Sequence, residues 1–152
     1  MKRIRKFVAV TSILLISLLA VAPLALYSYT LGLLSEMPKY STQELSEKEA
    51  SEMWVSNEHC TPSQCSSITP YWIYRWLFGA VTNDLVTPVE TGAIYSNVSK
   101  MASQVAIYHM RQGHVKDKGM GWWHLTHINL SIWLQRNWEA KYIAAKFIEI
   151  NA

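Results

Sequence analysis

Acidic residues are missing from the first 35 positions of this chain, and cysteine, glycine and proline are scarce throughout, at two, six and five residues. Two cysteines are too few for a disulfide scaffold or a four-thiolate zinc centre. The glycines form no phosphate-cradling loop, and neither a nucleophile elbow nor a cysteine–histidine nucleophile pair is present. No stretch sustains the apolar–polar alternation of a half-buried strand, so a sheet is excluded as the organising element. Charged residues fill 16% of the 152 positions, below the usual proportion of about a quarter. Aromatic residues at 12% are too plentiful for a disordered chain. A chain of this length makes one domain, which excludes a multidomain enzyme.

The formal charge of +3 points to a nucleic-acid binder until its charges are located. Lys2, Arg3, Arg5 and Lys6 all precede the first apolar run, so residues 35–152 hold ten of the fourteen bases against all eleven acids. That balance lacks the basic footprint that phosphate backbones require, and nucleic acid is excluded as a partner.

From Phe7 to Leu34 the chain runs 28 residues without a charge. As a helix rising about 1.5 Å per residue this is roughly 42 Å long, more than the ~30 Å hydrocarbon layer of a bilayer. The alternative is a cleaved secretory signal, whose apolar stretch is about 7–15 residues. The best small-x-small site is Ala20-Val21-Ala22, but Pro23 follows it and makes a poor scissile bond. The expectation is therefore an uncleaved single-pass anchor. The N-terminal bases predict a cytoplasmic N-terminus and an exported C-terminal part, at the inner membrane with the domain in the periplasm. The organisation reads as a basic tail (1–6), a transmembrane anchor (7–34), a neck (35–41) and an exported helical domain (42–152). Pro23 sits within the span, where carbonyls freed by proline need new partners. Tyr27, Tyr29 and Tyr40 suit the outer interface.

The exported part reads as all-α. Ser41-Thr42-Gln43-Glu44 has the pattern of a capping box, and Ser46-Glu47-Lys48-Glu49 repeats it. Either opens a helix running to about Ser56, with Leu45, Met53 and Trp54 inward. Cys60 and Cys65, separated by the four residues Thr61-Pro62-Ser63-Gln64, are expected to form a disulfide outside the cytoplasm, the alternatives being free thiols or a metal site with His59. Thr69-Pro70 starts an aromatic helix with Ile73, Trp76, Leu77 and Ala80 on one face. A helix from about Thr91 to Gln112 carries Ile94, Val98, Met101, Val105 and Tyr108 as its stripe, with Gly113 closing it. A further helix begins near Trp122 with Leu125, Ile128, Ile132 and Gln135 aligned. Asn137 then caps a last helix with Ile143, Phe147 and Ile150 on a common face. Four or five helices and no internal repeat result.

Few constellations point to chemistry. His124 and His127 lie three apart on a helix and could share a metal with His109 or His114, but no acid completes a known zinc motif, and no metal or other cofactor is expected. Glu58, beside the cysteine loop, and Glu90, at a loop–helix junction, are the two candidate general acids, each needing a cleft to serve. The tandem Trp122-Trp123 cannot turn both indoles inward, so together with His124 and His127 it forms the candidate binding surface. Asn97-Val98-Ser99 matches a glycosylation sequon but falls inside an expected helix.

The stretch GWWHLTHINLSIWLQRNWEAKYIAAKFIEI resembles part of the peptidoglycan glycosyltransferase (transglycosylase) domains. In that family a Gly-Gly-Ser-Thr-Ile-Thr-Gln-Gln-Leu motif opens a helix. Leu125-Thr126-His127 stands where Ile-Thr-Gln would be, and Trp133-Leu134 falls near the apolar end. The resemblance implies a lysozyme-like helical fold near nascent peptidoglycan and its lipid-linked precursor. Trp122-Trp123-His124 replaces Gly-Gly-Ser, and neither Glu58 nor Glu90 is followed by the Asp of the family's catalytic Glu-Asp-x-x-Phe motif. No catalytic residue carries over, which implies a relative that binds or scaffolds. The expectation is therefore a membrane-anchored, non-catalytic accessory protein of the bacterial cell envelope with an envelope protein partner. A minimal transglycosylase-like enzyme using Glu58 or Glu90 is the alternative. A third reading is a fragment whose core a neighbouring polypeptide completes at Ile148 and Ile150.

Overall fold

A computed structural model of the chain describes residues 2–58, 68–71, 73, 74 and 99–152. Among the described residues there are five α-helices and no strand: α1 (Lys2–Leu31), α2 (Glu47–Glu58), α3 (Lys100–Arg111), α4 (Met120–Asn137) and α5 (Ala140–Asn151). A 3₁₀ helix, His114–Lys118, links α3 to α4. The all-helical expectation holds. Cys60, Cys65, Glu90 and residues 75–98 lie outside the described residues, and with them the expected disulfide.

The 26 residues from Lys6 to Leu31 form one helix long and apolar enough to cross a membrane. From Lys6 to Ala22 every side chain is exposed, whereas Pro23 and Thr30 are buried against the rest of the chain. Proline has no N–H, so the carbonyl four residues back, that of Leu19, loses its helical donor. The Tyr74 hydroxyl donates to that carbonyl, and the Tyr71 hydroxyl donates to the neighbouring Ala20 carbonyl at 2.9 Å. The partners that the sequence demanded for Pro23 thus come from residues fifty positions downstream.

Beyond Pro23, α1 becomes part of the helical assembly. Tyr27 packs with Ile68, Ile128 and Ile132. Thr30 accepts a hydrogen bond at its hydroxyl from Asn129 Nδ2 at 2.8 Å, and passes its own proton to the carbonyls of Leu26 and Tyr27. Leu31, Leu33, Leu34 and Met37 then pack on the main core. Of the three tyrosines expected at the outer interface, Tyr29 stacks on Trp122 (ring centroids 5.0 Å apart) and Tyr40 on Trp138 and Tyr142 (both 4.7 Å). All three therefore hold α1 and the neck to the other helices.

Of the two candidate boxes, Ser46–Glu49 opens α2. Glu49 Oε2 accepts from the Ser46 N–H at 3.0 Å and from its hydroxyl, while Ser46 Oγ accepts from the Glu49 N–H at 3.3 Å. Glu49 is accordingly held below the ordinary carboxyl range by the Ser46 bonds. Ser41 instead accepts from the Gln43 N–H at 3.0 Å and donates to the Glu149 carboxylate of α5. Ala50 and Trp54 turn into the core, with Leu45 and Met53 partly covered beside them.

α3 starts at Lys100, well after the expected Thr91, because Ser99 is a non-helical N-cap (φ −53°, ψ 128°). Its buried face is Met101, Ala102, Val105, Ala106 and Met110; Tyr108, expected inward, is exposed. The small alanines at 102 and 106 let neighbouring helices approach, and Met110 continues their row. Gly113 follows the helix end as expected, but its N–H closes a tight turn to the Met110 carbonyl at 3.2 Å.

α4 is the central helix. Leu130 and Leu134 face the main core, Ile128 and Ile132 face the α1 side, and Thr126, Asn129 and Ser131 are buried as well. A helix buried on opposite faces has no single apolar stripe, so the stripe read from Leu125, Ile128, Ile132 and Gln135 is only one of its two packed surfaces. Asn137 does not cap the last helix. It ends α4 and donates from Nδ2 to the Trp133 carbonyl at 2.8 Å, and α5 begins after an extended Trp138 and Glu139. Ile143 is buried in α5, with Phe147 and Ile150 packed beside it, as the spacing predicts.

Candidate functional site

The aromatic–histidine segment occupies the first two turns of α4. Gly119 precedes it at φ 101°, ψ 158°, a backbone region open in practice only to glycine, and this turn aims the helix start. Trp122 and Trp123 diverge as adjacent helical positions must. Trp122 is 36% exposed and leans on Tyr29 of α1. Trp123 packs on the core, with the His124 ring edge-on at 5.2 Å and the His127 ring tilted at 5.7 Å.

The two histidines have unlike surroundings. His124 is exposed, whereas His127 is largely covered and its Nε2 shares a 2.8 Å hydrogen bond with the Ser103 hydroxyl of α3. Burial holds His127 well below the ordinary imidazole range, to about 4; the Ser103 bond opposes the shift and the nearby His124 adds to it. His127 is thus neutral at physiological pH and joins α3 to α4. His109, a possible third ligand for a metal, donates from Nε2 to the Glu36 carbonyl in the neck at 2.8 Å, and the His114 side chain lies outside the described ones. Among the described residues no three histidine, cysteine or acidic side chains converge on one point.

This environment makes stability pH-dependent. Between pH 6.5 and about 4 the unfolded chain binds a proton at residue 127 that the folded chain does not. Stability from this group is therefore complete above pH 6.5 and is lost as pH falls toward 4, by about 3 kcal/mol in total. His127→Gln keeps a partner for Ser103 and removes the titration. Urea unfolding across that range is expected to give a flatter stability curve for the variant than for the wild type.

Glu58 lies at the end of α2, and both its carboxylate oxygens serve the start of α3. Oε1 accepts from the Ser99 hydroxyl and the Met101 N–H, each at 2.8 Å, and Oε2 accepts from the Lys100 N–H at 2.9 Å. Ser99 in turn accepts from the Ala102 N–H at 3.0 Å and donates its own N–H to Gln135 Oε1 at 3.2 Å. An acid satisfying first-turn N–H groups is a helix cap supplied from another helix. Glu58 and the Trp122–His127 segment are thus separate features joined only through the helices that carry them.

The sequence did not single out Ser99, Ser103, Thr30 or Asn129 as partners. The one signal for Asn129 was its position as an isolated amide within the apolar run of α4. Comparison of the chain with protein-family models, curated proteins and solved structures finds no match.

Proposed function

We propose that this is a membrane-anchored accessory protein of the bacterial envelope, which holds a small helical domain at the outer face of the inner membrane and acts by contact with envelope partners. One observation carries the reading: α1 side chains are exposed along the 17 residues from Lys6 to Ala22, where Tyr71 and Tyr74 reach the Ala20 and Leu19 carbonyls, and pack into the domain from Pro23 onward. That exposed length, about 26 Å at ~1.5 Å per residue, suits the hydrocarbon of a bilayer. The cluster of bases before it supports an N-terminus on the cytoplasmic side. Tyr29, Met120 and Trp122, all exposed, then stand near the headgroups, where amphipathic rings are favoured.

The contact surface is Trp122 and His124, with Trp123 and His127 as the packed base that fixes their direction. Confinement to the bilayer surface raises the effective concentration toward other membrane-bound partners, so weak contacts suffice. The peptidoglycan layer and its lipid-linked precursor are the partner chemistry implied by the resemblance of residues 121–150, which form most of α4 and α5. The capping role of Glu58 speaks against it as the acid of a minimal transglycosylase, whose other candidate, Glu90, lies outside the described residues. The test is incubation of the full-length chain with lipid-linked precursor. No glycan polymer is expected; polymerisation that Glu58→Gln abolishes without lowering thermal stability would replace this reading with the enzymatic one.

A further inference from the structure

A crevice of about 360 Å³ lies between α1 and α4, lined by Leu24, Tyr27, Ser28, Trp133, Arg136 and Asn137. Its α1 wall starts two residues beyond Ala22, where the exposed run ends. Leu24–Ser28 therefore stand about 3–9 Å above the edge of the hydrocarbon, running from within the headgroup layer to its outer edge, given a rise of ~1.5 Å per residue and a headgroup region of roughly 5–8 Å per leaflet. We propose that this crevice seats the headgroup phosphate of an anionic phospholipid of the outer leaflet, with Arg136 as the anion-binding group. The inference rests on α1 being a membrane anchor.

The lining has the chemistry such a ligand needs. Arg136 is the one charged side chain among the described residues that line the crevice, and no ion pair joins it to any described acid. Its planar fork of donors matches two phosphate oxygens at once. The Tyr27 and Ser28 hydroxyls can serve a glycerol headgroup, and Trp133 and Leu24 offer apolar surface to the first acyl carbons. Among the described residues no carboxylate lines the crevice to receive an ammonium headgroup, which favours a glycerol-type anionic lipid over a zwitterionic one. Arg136 lies in the last turn of α4, where bare carbonyls would repel an anion. One of those carbonyls, that of Leu134, is already taken by the Trp138 N–H at 2.8 Å.

The test uses the full-length chain in neutral detergent, given equimolar phosphatidylglycerol and phosphatidylcholine, with retained lipid read by native mass spectrometry. The wild type is expected to retain one phosphatidylglycerol in preference to phosphatidylcholine. Arg136→Gln should lower that retention about tenfold, as loss of a charge-assisted pair does, and Arg136→Lys by less. Because Arg136 is exposed, thermal unfolding of the variants should match the wild type. Millimolar inorganic phosphate should not displace the lipid; displacement would show that the site takes free phosphate and would overturn the proposal. Equal retention by wild type and Arg136→Gln would overturn it too. Flotation with phosphatidylglycerol vesicles, read in parallel, separates the two ideas. Both chains floating without Arg136-dependent retention would sink the headgroup seat alone, whereas failure of both to float would remove the anchor reading and the seat with it.

Discussion

Glu58→Ala is expected to lower the unfolding free energy by about 2–4 kcal/mol, combining the loss of a helix cap with the loss of hydrogen bonds to a charged acceptor. The substitution strips acceptors from the Lys100 and Met101 N–H groups and from the Ser99 hydroxyl, and Met101 is fully buried, so water does not replace the carboxylate there. Glu58→Gln should fall between wild type and Ala. Its amide oxygen can still accept from Met101, but its NH₂ then faces the Lys100 N–H, donor against donor. Urea unfolding of the full-length chain in mild detergent, followed by circular dichroism, reads both. A catalytic acid would behave in the opposite way, because Glu→Gln at such a position leaves stability intact. An unchanged unfolding midpoint for both variants would therefore remove the capping role.

Trp54→Ala should cost about 3–5 kcal/mol, the range for truncating a large aromatic in a packed core. Trp54 is 3% exposed and, with Ala50, fixes α2 onto the core that α3, α4 and α5 share. It lies one turn before Glu58 on the same helix, so losing it also loosens the cap on α3. The two substitutions act on one docked element, and the double variant is expected to lose less than the sum of the single losses. Strict additivity, measured by the same unfolding experiment, would mean that the indole and the carboxylate hold different parts of the fold.

These couplings explain what could be read from the residues and what could not. Local signals were legible: the apolar run of α1, the Ser46–Glu49 box, the inward Trp54, and the face shared by Ile143, Phe147 and Ile150 all depend on neighbours within a few positions. The divergence of Trp122 and Trp123 follows from helix geometry alone. Contacts across the chain were not legible. The start of α3 is set by Ser99 together with a glutamate from another helix, and apolar spacing extending back toward Thr91 carries no mark of that cap. α4 hid its role because burial between α1 and the main core erases the one-sided pattern by which an amphipathic helix is recognised. Tyr29 and Tyr40 read as interface residues because nothing local to them reveals that Trp122, Trp138 and Tyr142 supply their ring partners. Glu58 stood out as a candidate acid for the same reason, since its three hydrogen-bond donors lie about forty positions away in the chain.

The claim on which the rest stands is the proposed one, that α1 stays in the bilayer as an uncleaved anchor while its second half completes the domain. The intact mass of the chain recovered from carbonate-washed membranes tests it. The expected result is a polypeptide retained in the membrane whose mass still includes Lys6–Leu31. A shorter chain beginning at Pro23, or release of the protein into the wash, would contradict it.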